Sequence, residues 1–174
     1  FDGNLFAGVE DSISIDYNRK FGIPATGKHI NAGVLLLNLN MIRQFNFLER
    51  IMNFIESNRF RITLGDQQIL CELFFDLIKY VPVKWNVHGS MFQENWVENY
   101  VDIKNNMSRK DAINAIKKPG IIHYTLKRKP WMSLQHPKSE LWFDYLKYTK
   151  YNISIDKPKP EAANHTVKDK KPEL

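Results

Sequence analysis

Apolar residues fall along this chain in short runs, and the spacing inside each run switches between that of a strand and that of a helix. Leu5, Phe6, Ala7 and Val9 predict a strand within residues 1–10. Residues 11–28 are polar and carry Gly22, Pro24 and Gly27, a composition that predicts a surface excursion. Residues 31–39 form a nearly continuous apolar run, which fits a strand buried on both faces. From 41 to 57, Ile42, Phe45, Leu48, Ile51, Met52 and Ile55 keep a helical period. A second helical stretch follows Gly65-Asp66, with Ile69, Leu70, Leu73, Phe74, Leu77 and Ile78 as its apolar positions.

Pro82 biases its neighbour away from helix, so residues 81–86 are expected to be extended. Ser108 opens another helix, and Asp111 three residues on resembles a capping box in which Asp replaces Glu or Gln. That helix is expected to reach about Lys118 and to stop at Pro119-Gly120. Residues 120–124 read as a short strand. A last helix is expected over 139–151, with Leu141, Trp142, Tyr145, Leu146 and Thr149 along one side. Beyond Asp156, prolines alternate with charges, the composition of a disordered tail. The alternation of strands and helices predicts an α/β fold.

Composition narrows this picture. Hydrophobic residues make up 43% of the 174 positions and aromatics 13%, enough for one domain with a packed core. No charged segment followed by an apolar one opens the chain, and no apolar run of about 18 residues occurs, so neither a signal peptide nor a spanning helix is expected. Cys71 is the only cysteine, which excludes a disulfide framework and fits a core position. The net charge of +6 is localised: residues 112–139 contain no Asp or Glu but hold Lys117, Lys118, Lys127, Arg128, Lys129 and Lys138. Such a field attracts phosphates, acidic saccharides or an anionic membrane face, or is simply a solvated loop. No nucleic-acid-binding pattern accompanies it, so nucleic acid is not expected as a partner.

Three segments carry candidate chemistry. Asn31-Ala32-Gly33 precedes the buried run; Asn offers donors and an acceptor for sugar hydroxyls, and Gly33 would let backbone approach a ligand. An ordinary turn explains the Asn equally well. Gly65-Asp66-Gln67-Gln68 places a carboxylate and two amides at a helix start, suited to a hydroxyl-rich ligand or to a plain N-cap. His123 ends an apolar strand before the basic loop that closes on Lys129-Pro130-Trp131. Its imidazole suits a divalent ion, and Lys suits phosphate oxygens, although a buried hydrogen-bonded His fits the same position.

Taken in order, Asn-Ala-Gly-Val-Leu-Leu-Leu-Asn at 31–38, Gly-Asp-Gln at 65–67 with Ile69-Leu70, Lys-Trp-Asn at 84–86, and His-Tyr ahead of Lys-Pro-Trp at 123–131 resemble family 8 retaining glycosyltransferases. The resemblance covers about residues 1–151. It implies a GT-A fold, a Rossmann-like α/β nucleotide-sugar transferase domain, here incomplete because its N-terminal nucleotide-binding part is absent. Residues 1–135 would be the C-terminal part of that catalytic domain, 136–155 a helical extension and 156–174 the tail. The family's Asp-x-Asp metal motif is missing from these residues, so the resemblance implies a fragment, inactive by itself.

By the same resemblance His123 would ligate Mn²⁺ or Mg²⁺, and Leu126 and Lys129 would lie with it against the donor phosphates. Asn31, Ala32, Asp66 and Gln67 would hold the sugar of a UDP-hexose, with Gln67 and Asp66 as the catalytic pair. An amide at Gln67 is a poor nucleophile, which favours same-face attack over a covalent intermediate. Family members often carry Asp where Gln68 stands and a small residue where Leu126 stands. The implied acceptor is a glycan or lipid-linked saccharide of lipopolysaccharide or another surface polysaccharide. The implied location is cytoplasmic, peripheral at the inner membrane face. A non-catalytic anion- or glycan-binding module that kept the fold without the metal site is the competing expectation.

Overall fold

The computed structural model describes residues 1–11, 14–24, 27–101, 107–125, 129–132 and 136–151. It divides into two compact units, Phe1–His123 and Tyr124–Leu174.

In the first unit, β1 (Phe6–Glu10) is the central strand of a three-stranded sheet. It pairs antiparallel with β2 (Ile30–Leu37) and parallel with β3 (Ile78–Tyr80). Side chains alternate across β1, so its two faces feed two cores. Phe6 points into a cluster with Leu5, Ile23, Ile30, Cys71, Phe74 and Ile78. Val9 points into another with Val83, Val87, Met91, Trp96, Val101, Ala112 and Ala115. A bulge between Gly8 and Glu10 shifts the register there, ahead of Asp11.

The strand expected at 31–39 is present but is not buried on both faces. As an edge strand it leaves Leu36 at 59% and Leu37 at 47% exposure. Together with Ala7, Val9, Trp85 and Ile121, Val34 and Leu36 line an apolar hollow of about 400 Å³. A continuous apolar run signals burial only when both faces are covered; here the face of Val34 and Leu36 stays open among the described residues, and Leu37, on the other face, is exposed at the strand's end.

Four other expectations are corrected. The polar stretch at 11–28 contains a helix, α1 (Ser14–Phe21), whose Tyr17 and Phe21 pack rings near His29 and whose Asn18 Nδ2 donates to Gly27 O at 2.6 Å. The helix expected over 41–57 is two, α2 (Leu39–Gln44) and α3 (Phe47–Asn58), because Asn46 takes a left-handed conformation at φ 48. Leu48 and Met52 face outward at the resulting angle. The next helix, α4 (Asp66–Phe74), ends before Leu77, and Ile78 begins β3 instead. Residues 83–85 form a 3₁₀ turn rather than extended chain, closed by Trp85 N to Pro82 O at 3.1 Å and Asn86 N to Val83 O at 3.0 Å.

Beyond that turn, β4 (Val87–His88) pairs in parallel with β5 (Ile122–His123), which sets His88 beside His123. Between them runs α5 (Arg109–Lys117), capped as expected: Ser108 Oγ accepts from Asp111 N at 3.1 Å. Cys71 is fully buried as expected, its thiol pushed up to about 12 by burial.

The second unit contains α6 (Ser139–Leu146), shorter than the helix expected over 139–151. Its buried residues are Ser139 and Phe143, one position over from the expected stripe, so Tyr145 is 73% exposed. Lys129 Nζ donates to Tyr124 O at 2.7 Å, and the Trp131 ring lies 5.3 Å from that of Trp142. Leu126, Lys127, Arg128 and the tail at 156–174 lie outside the described residues. No described helix is long and apolar enough to cross a membrane.

Candidate functional site

The chain's polar chemistry gathers where β1 and β5 end and where β2 and α4 begin. Asp11 follows β1 and is 7% exposed, an uncompensated carboxylate unless partners reach it. Two amides do. Asn31 Nδ2 donates to Asp11 Oδ2 at 3.2 Å, and Gln67 Nε2 donates to the same oxygen at 3.1 Å. Gln67 spends its Oε1 on Ala32 N at 3.1 Å, which ties the start of α4 to β2. Asn31 Oδ1 accepts from Gly33 N at 3.1 Å and from Asn86 Nδ2 at 2.9 Å. Asn86 is fully buried, and its Oδ1 lies 3.0 Å from His123 Nδ1.

Asn31, Gln67 and His123, which sequence motifs singled out separately, thus meet in one hydrogen-bonded set. Ala32 enters through its backbone. Asp66 stands apart: it is exposed, and its Oδ1 accepts from Gln67 N at 2.9 Å. It is not the N-cap; that position belongs to Gly65, at φ 60 and ψ −134, a backbone conformation suited to glycine. The expectation for Gly33 also changes. A Cβ built there lands in the His123 ring, with Nδ1 at 2.5 Å and Nε2 at 2.6 Å. The close approach this glycine permits is by a side chain of the same protein.

Four members of the neighbourhood were not singled out by sequence: Asp11, His29, Asn86 and His88. A signal existed for Asn86, the last residue of the Lys-Trp-Asn motif. His29 is fully buried between α1 and the amides, with its Nε2 3.4 Å from Gln67 Nε2. An amide nitrogen only donates, so His29 Nε2 is the acceptor and the ring is neutral. Burial holds its pKa down at about 4, with Asp11 and Glu72 pulling weakly the other way. His88 is also buried, its Nδ1 2.8 Å from Ser90 Oγ, and burial lowers its pKa too, opposed by Asp11 and reinforced by His123.

His29 makes stability depend on pH. Its folded pKa, about 4, lies below the 6.5 of a free imidazole. The unfolded chain therefore binds the proton first, and stability is full above pH 6.5 and falls as pH drops toward 4. The loss is on the order of 3 kcal/mol. Urea unfolding between pH 7.5 and 4.5 should show this slope, and His29→Gln should flatten it. An equal slope in that variant would assign the effect elsewhere.

With the geometry established, residues 1–135 match the family model for glycosyl transferase family 8. The chain belongs to glycosyl transferase family 8. It is 27% identical over 149 residues to General stress protein A of Bacillus subtilis (strain 168), covering 84% of this chain and 50% of that protein. It is 32% identical over 127 residues to Glycosyltransferase GlyD of Streptococcus pneumoniae serotype 4 (strain ATCC BAA-334 / TIGR4), covering 68% of this chain and 14% of GlyD. Among solved structures, an active-site mutant of LgtC superposes with a TM-score of 0.70 at 20% identity, covering 84% of this chain and 52% of that one. The galactosyltransferase LgtC in complex with donor and acceptor sugar analogs gives a TM-score of 0.61 at 22% identity, covering 90% and 54%.

The chain therefore spans about half the length of General stress protein A and of LgtC. Its fold is that part of a mixed α/β, GT-A glycosyltransferase, as the sequence led us to expect. Among the described residues no three His, Cys, Asp or Glu side chains cluster to hold a metal ion.

Proposed function

We propose that the whole protein carrying this chain is a retaining hexosyltransferase that moves a sugar from UDP-hexose to a glycan or lipid-linked saccharide acceptor. The product class we favour is lipopolysaccharide or another surface polysaccharide, assembled at the inner face of the membrane. The observation that carries this reading is the single hydrogen-bonded set joining Asp11, Asn31, Gln67, Asn86 and His123 in a family 8 chain. Carboxylate and amide groups pair with sugar hydroxyls, and imidazole with a divalent ion.

His123 fits such an ion, because an acceptor engages Nδ1 and the neutral ring then keeps its lone pair on Nε2. Mn²⁺ or Mg²⁺, when bound, supplies positive charge beside the departing diphosphate. We place the remaining ligands in an Asp-x-Asp segment of the whole protein. Lys129 adds a compact positive charge for the pyrophosphate, and the family resemblance assigns Leu126 to the same phosphate-binding set. Asn31, Ala32, Asp66 and Gln67 orient the donor sugar. Gln67 presents an amide, a poor nucleophile, whose oxygen and nitrogen both hold hydrogen bonds. That favours same-face attack by the acceptor through a short-lived oxocarbenium ion pair over a covalent intermediate.

The test is turnover of UDP-hexose with Mn²⁺ by the whole protein. His123→Ala should lower it at least about 100-fold, the scale of losing a group that stabilises charge in the transition state. Unchanged kinetics would remove His123 from the site.

A further inference from the structure

Each amide in this network has one end that donates and one that accepts, and the network has a fixed sense. Asp11 Oδ2 only accepts, so Asn31 must turn its Nδ2 toward it. That leaves Asn31 Oδ1 facing Asn86, which must answer with Nδ2, at 2.9 Å. Asn86 Oδ1 is then the atom presented to His123 Nδ1, at 3.0 Å, and an oxygen there requires Nδ1 to carry the hydrogen. Gly33 N donates to the same Asn31 Oδ1, and Gln67 Nε2 to the same Asp11 Oδ2, so neither link can reverse without breaking a second bond.

Position is set as firmly as protonation. The His123 ring rests on the bare Cα of Gly33, and β4 pairs with β5 at His88 and His123. Asn86 is fully buried, immediately before β4, so its amide has no water to turn toward.

We propose that Asn86 is a positioning residue, transmitting the polarity of the Asp11 carboxylate through Asn31 to hold His123 as the Nδ1–H tautomer with Nε2 as its ligating nitrogen. The inference deepens the reading of His123 as a metal ligand and rests on it. A free imidazole prefers the opposite tautomer, so this arrangement is built rather than inherited. Groups that orient a ligating histidine typically change metal affinity by about 10–100-fold.

The experiment is long-range ¹H–¹⁵N correlation on the whole protein labelled at histidine nitrogen, without metal, at a pH where His123 is neutral. His123→Gln identifies the His123 signals by their loss. In the unaltered protein the shifts should report hydrogen on Nδ1. Asn86→Ala should move them toward the Nε2–H form and weaken apparent Mn²⁺ affinity roughly 10–100-fold. Asn86→Asp keeps an oxygen for the ring and should retain hydrogen on Nδ1; an Nε2–H ring in that variant would overturn the proposal even if the alanine variant does not fold. An Nε2–H ring in the unaltered protein, or Nδ1–H persisting in a folded Asn86→Ala, would overturn the proposal. Paramagnetic broadening of the His123 signals by added Mn²⁺ reads the metal assignment separately. Its absence alongside the expected tautomers would sink that assignment while leaving the tautomer control by Asn86 standing.

Discussion

Gly33→Ala should lose both stability and turnover, although the backbone there has no positive φ and the change adds one methyl group. The methyl would land inside the His123 imidazole, within 2.6 Å of both ring nitrogens. The obstacle is a ring held from behind by Asn86 rather than the loose end of a side chain. Moving it breaks that bond and leaves the buried Asn86 Oδ1 without its ring partner. Overpacking of this kind costs about 1–3 kcal/mol, and a buried acceptor left unpaired costs about as much again. A ring displaced by an ångström should also lower turnover of the whole protein about 100-fold. Gly8→Ala is the comparison: its methyl would meet Ile30 Cδ1 at 3.0 Å, Leu35 Cδ2 at 3.2 Å and Ile30 Cβ at 3.3 Å, a tight fit but with no atom as close as the His123 ring is to Gly33. Thermal unfolding and kinetics of the two variants together decide it. If Gly33→Ala behaves no worse than Gly8→Ala, the packing of His123 on Gly33 does not hold the site.

The second large effect lies one residue beyond the site. Gln68 is fully buried, and all of its amide is in use. Oε1 accepts from Thr63 N at 2.8 Å and Leu64 N at 3.2 Å, while Nε2 donates to Arg61 O at 3.2 Å and Glu72 Oε1 at 2.7 Å. Gln68→Ala would orphan two backbone N–H groups and a carbonyl, and leave a cavity. We expect a loss of about 4 kcal/mol, a large share of the 5–15 kcal/mol that holds a domain together. Gln68→Glu adds a like-charge contact with Glu72, whose own partner is Arg61 at 2.9 Å. Its carboxyl would be easier to protonate folded than unfolded, so the deficit of that variant relative to the unaltered protein should shrink as pH falls toward 4. Melting temperature measures both, with a drop of roughly 10 °C expected for the alanine variant. Gln68→Ala melting with the unaltered protein would show that the 61–64 segment does not depend on this amide. The family resemblance marked Gln68 as a departure from Asp; the structure gives the amide a task that an ionised Asp, lacking a donor, cannot perform.

Elements with strong local signals were legible from the chain alone. Ser108 and Asp111 named the start of α5, the helical period after Gly65 named α4, and the apolar run at 31–39 named β2. Three motifs placed Asn31, Gln67 and His123 in the same family context before any contact was known. Helix α1 escaped because its inward positions show only against partners outside the helix itself: the half-buried Tyr17 and Phe21 against His29, and Asn18 against Gly27. The break at Asn46 escaped because apolar spacing continues through it.

Amino-acid order thus determined the α/β class, the family and the candidate residues, because periodicity and short motifs are local properties of a chain. Tertiary structure alone decided that Asp11 and Asn86 join those candidates, which way each amide faces, and that Gly33 makes room for His123. Those facts depend on which donor meets which acceptor once strands 20 to 90 residues apart lie side by side. No local pattern encodes that meeting.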